Sequence, residues 1–102
     1  MYTIEYLPIA KSDMVDIAKY IGVKLENPEA AERLAEKMIE AAEKLTDMPY
    51  KCPVYIPVKP LRHEYRKLIV QNYIMFYWVD EDKKLITIAR VVYSGRDYEN
   101  IL

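Results

Sequence analysis

The 102-residue sequence has one cysteine, one histidine and two glycines. A single thiol, Cys52, cannot close an intramolecular disulfide, so nothing calls for an oxidising compartment and a cytoplasmic location is expected. One histidine and one cysteine with dispersed carboxylates cannot assemble a zinc set, so neither a metal nor any other cofactor is expected. Gly22 and Gly95 stand alone, which excludes a glycine-rich phosphate loop. Long apolar runs are missing too, because the most apolar stretch, residues 68–79, is broken by Gln71 and Asn72. The opening MYTIEYLPIAK has no basic segment before an apolar run, so no signal peptide and no membrane association is expected.

What is present reads as one globular domain over residues 1–102, with 52% apolar and 30% charged residues. Residues 2–7 alternate as a short strand and stop at Pro8. Met14, Ile17, Ala18, Ile21 and Leu25 recur at helical spacing, which predicts an amphipathic helix from Ile9 to about Leu25. Asn27, Pro28 and Glu29 form a helix start, with a side-chain cap, a proline where no N–H is needed and an acid at the positive end. That second helix is expected to run to about Asp47, burying Leu34, Ala35, Met38, Ile39, Ala42 and Leu45. Four prolines within residues 49–61 rule out a regular element there. Beyond it, Tyr65–Gln71, Tyr73–Val79 and Leu85–Val92 read as three strands in an antiparallel meander, with a short helix over residues 97–102.

The fold expected is α+β in the order β-α-α-β-β-β, a two-helix hairpin on one face of an antiparallel-dominated four-stranded sheet. Alternation in the third strand puts Tyr73, Met75, Tyr77 and Val79 on one face and Ile74, Phe76 and Trp78 on the other. Two helices cover one face only, so Ile74, Phe76 and Trp78 are expected to be uncovered and to serve as a partner surface or stacking platform.

The net charge of -1 argues against a nucleic-acid partner, yet it is the sum of unlike halves. Residues 1–48 carry 6 basic and 10 acidic side chains, and the remainder 9 and 6. Lys51, Lys59, Arg62, Arg66 and Lys67 face a single Glu64 within residues 51–79, with His63 among them. Beside Tyr65, Tyr73, Trp78, Tyr93 and Tyr98, these cations supply the parts for phosphate contacts and base stacking. Each also has a plainer role. Tyr73 and Tyr77 suit core packing, Lys59 and Arg62 suit solvated loop charges, His63 suits an ordinary surface histidine, and Arg96 can pair with a nearby carboxylate. Cys52 paired with His63 is a poor nucleophile and base without an orienting third group. Arg66 and Lys67 are adjacent on a strand, so only one of them can face a given site.

Four segments in order resemble the C-terminal half of RelE/ParE superfamily toxins of type II toxin–antitoxin systems. They are Arg66-Lys67-Leu68, Gln71-Asn72-Tyr73, Phe76-Tyr77-Trp78-Val79-Asp80, and Arg90-Val91 through Arg96-Asp97. The segments DIAKYI and NPEAAERLAEKMIEAAEKLTDMP are similar to the helices of that superfamily. The resemblance implies a toxin neutralised by a cognate antitoxin, acting either by metal-independent, ribosome-dependent mRNA cleavage or, as ParE-like members do, by inhibiting DNA gyrase without catalysis. For the nuclease, which is the leading expectation with ribosome and mRNA as partners, it implies Arg66 or Lys67, Arg96, Tyr98 and His63 or Glu64 as catalytic groups. Lys59, Arg62 and Tyr93 would then contact RNA, and Ile74, Phe76 and Trp78 the antitoxin. Departures from the nuclease pattern are Ile74 where many members carry arginine, Ser94-Gly95-Arg96 in place of a terminal His-Tyr pair, and the lack of a strongly basic charge. A third reading is an inactive member whose basic patch is only a solvated surface.

Overall fold

The computed structural model describes residues 1–102. Strand β1 (Thr3–Tyr6) leads through Leu7 into helix α1 (Pro8–Lys19), which opens on a proline. The last turn of this hairpin arm widens into a π-turn, Tyr20–Lys24, where an α-helix to Leu25 was expected. The wider turn rotates later side chains off the buried line, so Val23 and Leu25 are exposed. Helix α2 (Pro28–Lys44) starts as its sequence dictates, the Asn27 side chain accepting from the Ala30 N–H at 3.1 Å. Its buried line is Ala31, Leu34, Met38 and Ala42, while Ile39, expected inside, is 49% exposed. At 3.6 residues per turn, Met38 and Ile39 diverge by about 100°, and only Met38 meets the sheet.

Strands β2 (Arg66–Val70), β3 (Tyr73–Asp80) and β4 (Leu85–Tyr93) form the expected meander. The sheet order is β1-β4-β3-β2, with β1 parallel to β4 and the other pairs antiparallel, so the sheet is mixed and β4 is central. The β3–β4 register slips at one point: Phe76 lies opposite Arg90 and Tyr77 opposite Ile88, leaving Ala89 as the extra residue of a bulge. Without the bulge Arg90 would follow Ile86 and Ile88 into the main core. With it, Val91 takes that place.

Ala10, Leu34, Met38, Ala42 and Leu45 of the helical side pack on Leu68, Val70, Met75, Tyr77, Ile86, Ile88 and Val91. Tyr77 is wholly buried, and its hydroxyl donates to the Pro49 carbonyl at 2.8 Å. Burial pushes the Tyr77 hydroxyl pKa well up, and the neighbouring Cys52 thiol adds to it. No helix is long and apolar enough to cross a membrane.

The opposite sheet face differs from the expectation. Ile74 and Phe76 are 3% and 0% exposed, buried with Val92 beneath Tyr55, Tyr65, Tyr98, Ile101 and Leu102. The cover is irregular chain from the proline-rich segment and the C-terminus, which periodicity does not reveal. Instead of the expected helix over residues 97–102 there is a single turn, Tyr98–Ile101, closed by the Ile101 N–H on the Tyr98 carbonyl at 3.2 Å. The 49–61 segment has no regular element, yet it is fixed. Val54 bridges Arg66, the Tyr55 N–H donates to the Tyr65 carbonyl at 2.8 Å, and the Lys67 N–H to the Pro53 carbonyl at 3.0 Å.

Candidate functional site

The register assigns Arg66 and Lys67 to opposite faces. Arg66 pairs with Tyr77 and shares the helix-side face, whereas Lys67 pairs with Phe76 and shares the helix-free face. The Arg66 guanidinium donates to the carbonyls of Cys52 at 2.7 Å and Tyr50 at 3.2 Å, contacts Glu64 at 3.5 Å, and lies 5.1 Å over the Tyr50 ring. The chain itself engages that cation through two carbonyls, a carboxylate and a ring, so it anchors the 50–52 segment.

Lys67 stands on the other face with its Nζ 5.9 Å from the centre of the Tyr98 ring. Tyr98 is one corner of an aromatic triangle with Tyr55 and Phe76, at centroid separations of 5.3 to 6.0 Å. A second triangle lies further along the same face: His63 is stacked on Trp78 at 3.7 Å, and Tyr65 is perpendicular to both. Lys67, Tyr98 and His63 are thus brought to one face, and Arg66 is excluded from it. Lys59 and Arg62 are exposed on the loop leading to β2.

Arg96 and Tyr93 belong to a different feature. Beyond Ile88 the outer edge of β4 has no strand beside it, because β1 ends at Tyr6. A groove of about 570 Å³ opens there between α1 and β4, lined by Asp16, Ile17, Tyr20, Tyr73, Tyr93 and Arg96 among others. Tyr73 and Tyr93 meet edge to face at 5.9 Å. Arg96 also borders a shallower hollow of about 290 Å³ with Tyr55, Ile56, Val58 and Tyr98. It therefore stands on the ridge between the groove and the aromatic face.

Arg90, which the resemblance includes in its last motif, is spent structurally. Its guanidinium donates from Nε and Nη2 to the two carboxylate oxygens of Asp13 at 2.8 and 3.0 Å. The Asp13 hydrogen bond, followed by its charge, raises the Arg90 pKa further. Asp13 also accepts from the Val91 N–H at 2.9 Å, which satisfies the open β4 edge.

A polar cluster that sequence reasoning missed lies at the end of the sheet. Tyr50 and Tyr2 hydroxyls donate to the Glu81 carboxylate at 2.5 and 2.7 Å, and Lys84 pairs with it. The Lys84 hydrogen bond, then those of the tyrosines, hold Glu81 down to about 2, while Glu81 pushes the Tyr50 hydroxyl up to about 12. Its members come from the N-terminus, the proline-rich segment and the β3–β4 turn, so no local pattern announces it.

The antitoxin-contact expectation for Ile74, Phe76 and Trp78 requires correction on exposure. The chain's own tail buries the first two, and His63 occupies the ring face of Trp78. Ile74 and Phe76 offer no free apolar surface, whereas Trp78 is half-buried with one ring face covered.

The fold is shared with solved toxins. The chain is similar to a structure described as the chromosomal ParDE toxin–antitoxin system from P. aeruginosa, with TM-score 0.71 and 19% identity over 91% of this chain and 96% of that one. It is similar to the archaeal RelE–RelB complex from Pyrococcus horikoshii OT3, with TM-score 0.62 and 17% identity over 94% and 98%. A third likeness is the RelBE2 complex from Mycobacterium tuberculosis, with TM-score 0.61 and 18% identity over 90% and 96%. No curated protein matches the sequence. The model of the ParE toxin of type II toxin–antitoxin system, parDE, matches residues 4–98, and the chain therefore belongs to the ParE toxin family.

Proposed function

We propose that this toxin arrests growth by binding DNA gyrase rather than by cutting mRNA, which reverses the order of the two sequence-based expectations. The observation that carries the reading is the withdrawal of two expected catalytic groups. Arg96 and Tyr98 border one hollow with Lys67 beside Tyr98, but Arg66 is turned to the other face and engaged by the Tyr50 and Cys52 carbonyls, and His63 is stacked flat on Trp78. Metal-free RNA cleavage needs a base, an acid and cations converging on one phosphate, and the expected histidine and one expected cation are occupied elsewhere. The ParE family match supports the same reading. We place binding of a cognate antitoxin at the α1–β4 groove, whose largely apolar lining lies beyond the end of β1 and can accept a partner segment.

Lys67 beside Tyr98 on one face favours the second reading, ribosome-dependent mRNA cleavage. Inducing the chain alone while mapping transcript 5′ ends, and assaying purified gyrase with purified chain, separates the two. Loss of supercoiling with intact messages is the expected result. Codon-positioned cuts that disappear on Lys67→Ala, with supercoiling unaffected, would establish the nuclease instead.

A further inference from the structure

Trp78 is the only tryptophan in the chain. One face of its indole is covered by the His63 imidazole, with ring centroids 3.7 Å apart and planes within 2°. Tyr65 stands edge-on to both rings, at 5.9 Å and 89° to His63 and at 5.6 Å and 90° to Trp78. A planar heteroaromatic ring lying flat on an indole and bounded by a perpendicular aromatic is how proteins hold a base of a single strand. Here the chain supplies that ring itself.

The two rings differ in how firmly they are held. Trp78 sits within β3, opposite Thr87 of the central strand, whose hydroxyl donates to Glu5 at 3.2 Å. His63 comes from the irregular segment before β2 and is half-buried. The surroundings are cationic on the β2 side. Lys67 follows Tyr65 by two residues on the same face, and Arg62, exposed, precedes His63. Glu64, the intervening acid, is turned to Arg66 on the opposite face.

We propose that Trp78 is a stacking site for a base of single-stranded nucleic acid, that His63 closes it in the free protein, and that Lys67 and Arg62 receive the flanking phosphates. Binding exchanges one stacked ring for another, so the intramolecular ring acts as a competitor that lowers apparent affinity by the fraction of time it is seated. No bond is made or broken.

The test uses the purified chain, a fluorescein-labelled oligoadenylate followed by anisotropy, and intrinsic fluorescence of Trp78. Saturable binding with a parallel change in tryptophan emission is expected. His63→Ala, which removes the competitor, should tighten binding about fivefold, from the usual worth of an aromatic pair. His63→Phe, which keeps a ring on the indole, should bind no more tightly than wild type. Trp78→Leu should weaken binding about tenfold or more, and Trp78→Phe should restore part of the loss. Oligonucleotide binding that leaves tryptophan emission unchanged, or an unchanged affinity in His63→Ala, would overturn the proposal. So would AMP or duplex RNA binding as tightly as the single strand, because either reassigns the ligand.

Discussion

Asp13 of α1 and Arg90 of β4 meet side-on through two hydrogen bonds of 2.8 and 3.0 Å, at side-chain exposures of 14% and 16%. The bulge at Ala89 makes this possible by removing Arg90 from the main core, and the same carboxylate caps the Val91 N–H on the open strand edge. The pair therefore locks helix to sheet where β1 no longer covers β4.

Asp13→Ala leaves a half-buried guanidinium and a backbone donor unpaired, and should destabilise the fold by about 3 kcal/mol. Urea unfolding checks this. The double variant Asp13→Ala with Arg90→Met should be less destabilised than the single one, because the stranded charge is gone.

Arg66→Ala should cost about 2 kcal/mol, since the carbonyls of Tyr50 and Cys52 lose a charged donor. Its signature is local: trypsin should cut faster after Lys51. Toxicity should fall only as far as the folded fraction falls. Toxicity abolished in a stably folded Arg66→Ala protein would instead give Arg66 a direct role.

The Glu81 cluster predicts a pH dependence with a definite sign. Its folded pKa is depressed to about 2 from 4.5, so its contribution is present above about pH 4.5 and is lost as pH falls toward 2. Tyr50 is raised from 10 to about 12, so its contribution is present below pH 10 and is lost as pH rises through that window. The stability difference between wild type and Glu81→Gln should be flat near neutrality and shrink at both ends. Denaturant melts across pH measure it.

Gly95 is packed so closely on the Tyr93 ring that an added Cβ has no room. Gly95→Ala should swing Tyr93 out and break its edge contact with Tyr73, while changing stability by less than about 1 kcal/mol because Tyr93 is 53% exposed. Proton NMR of the tyrosine rings would report the movement. Weaker antitoxin binding should accompany it if the α1–β4 groove is the docking site.

Local rules carried the element order. Asn27-Pro28-Glu29 starts α2, four prolines keep residues 49–61 irregular, and strict alternation in β3 separates Met75 and Tyr77 from Ile74 and Phe76. The register decided what alternation could not, turning Lys67 and not Arg66 toward the aromatic face. What stayed hidden was non-local. Tyr55 and Leu102 are far apart in sequence, without periodicity, yet together they roof Phe76. The stack of His63 on Trp78 was equally out of reach, since it joins a loop to a strand across fourteen intervening positions.

The strand order has a consequence in time. Thr3 pairs with Leu85, and the strand that holds Leu85 also carries the whole register with β3. Both halves of the sheet thus depend on β4. The helical hairpin can form from local contacts, but the β1–β4 pairing closes a loop that spans both helices and the proline-rich segment, so completion of the sheet is expected to limit the folding rate.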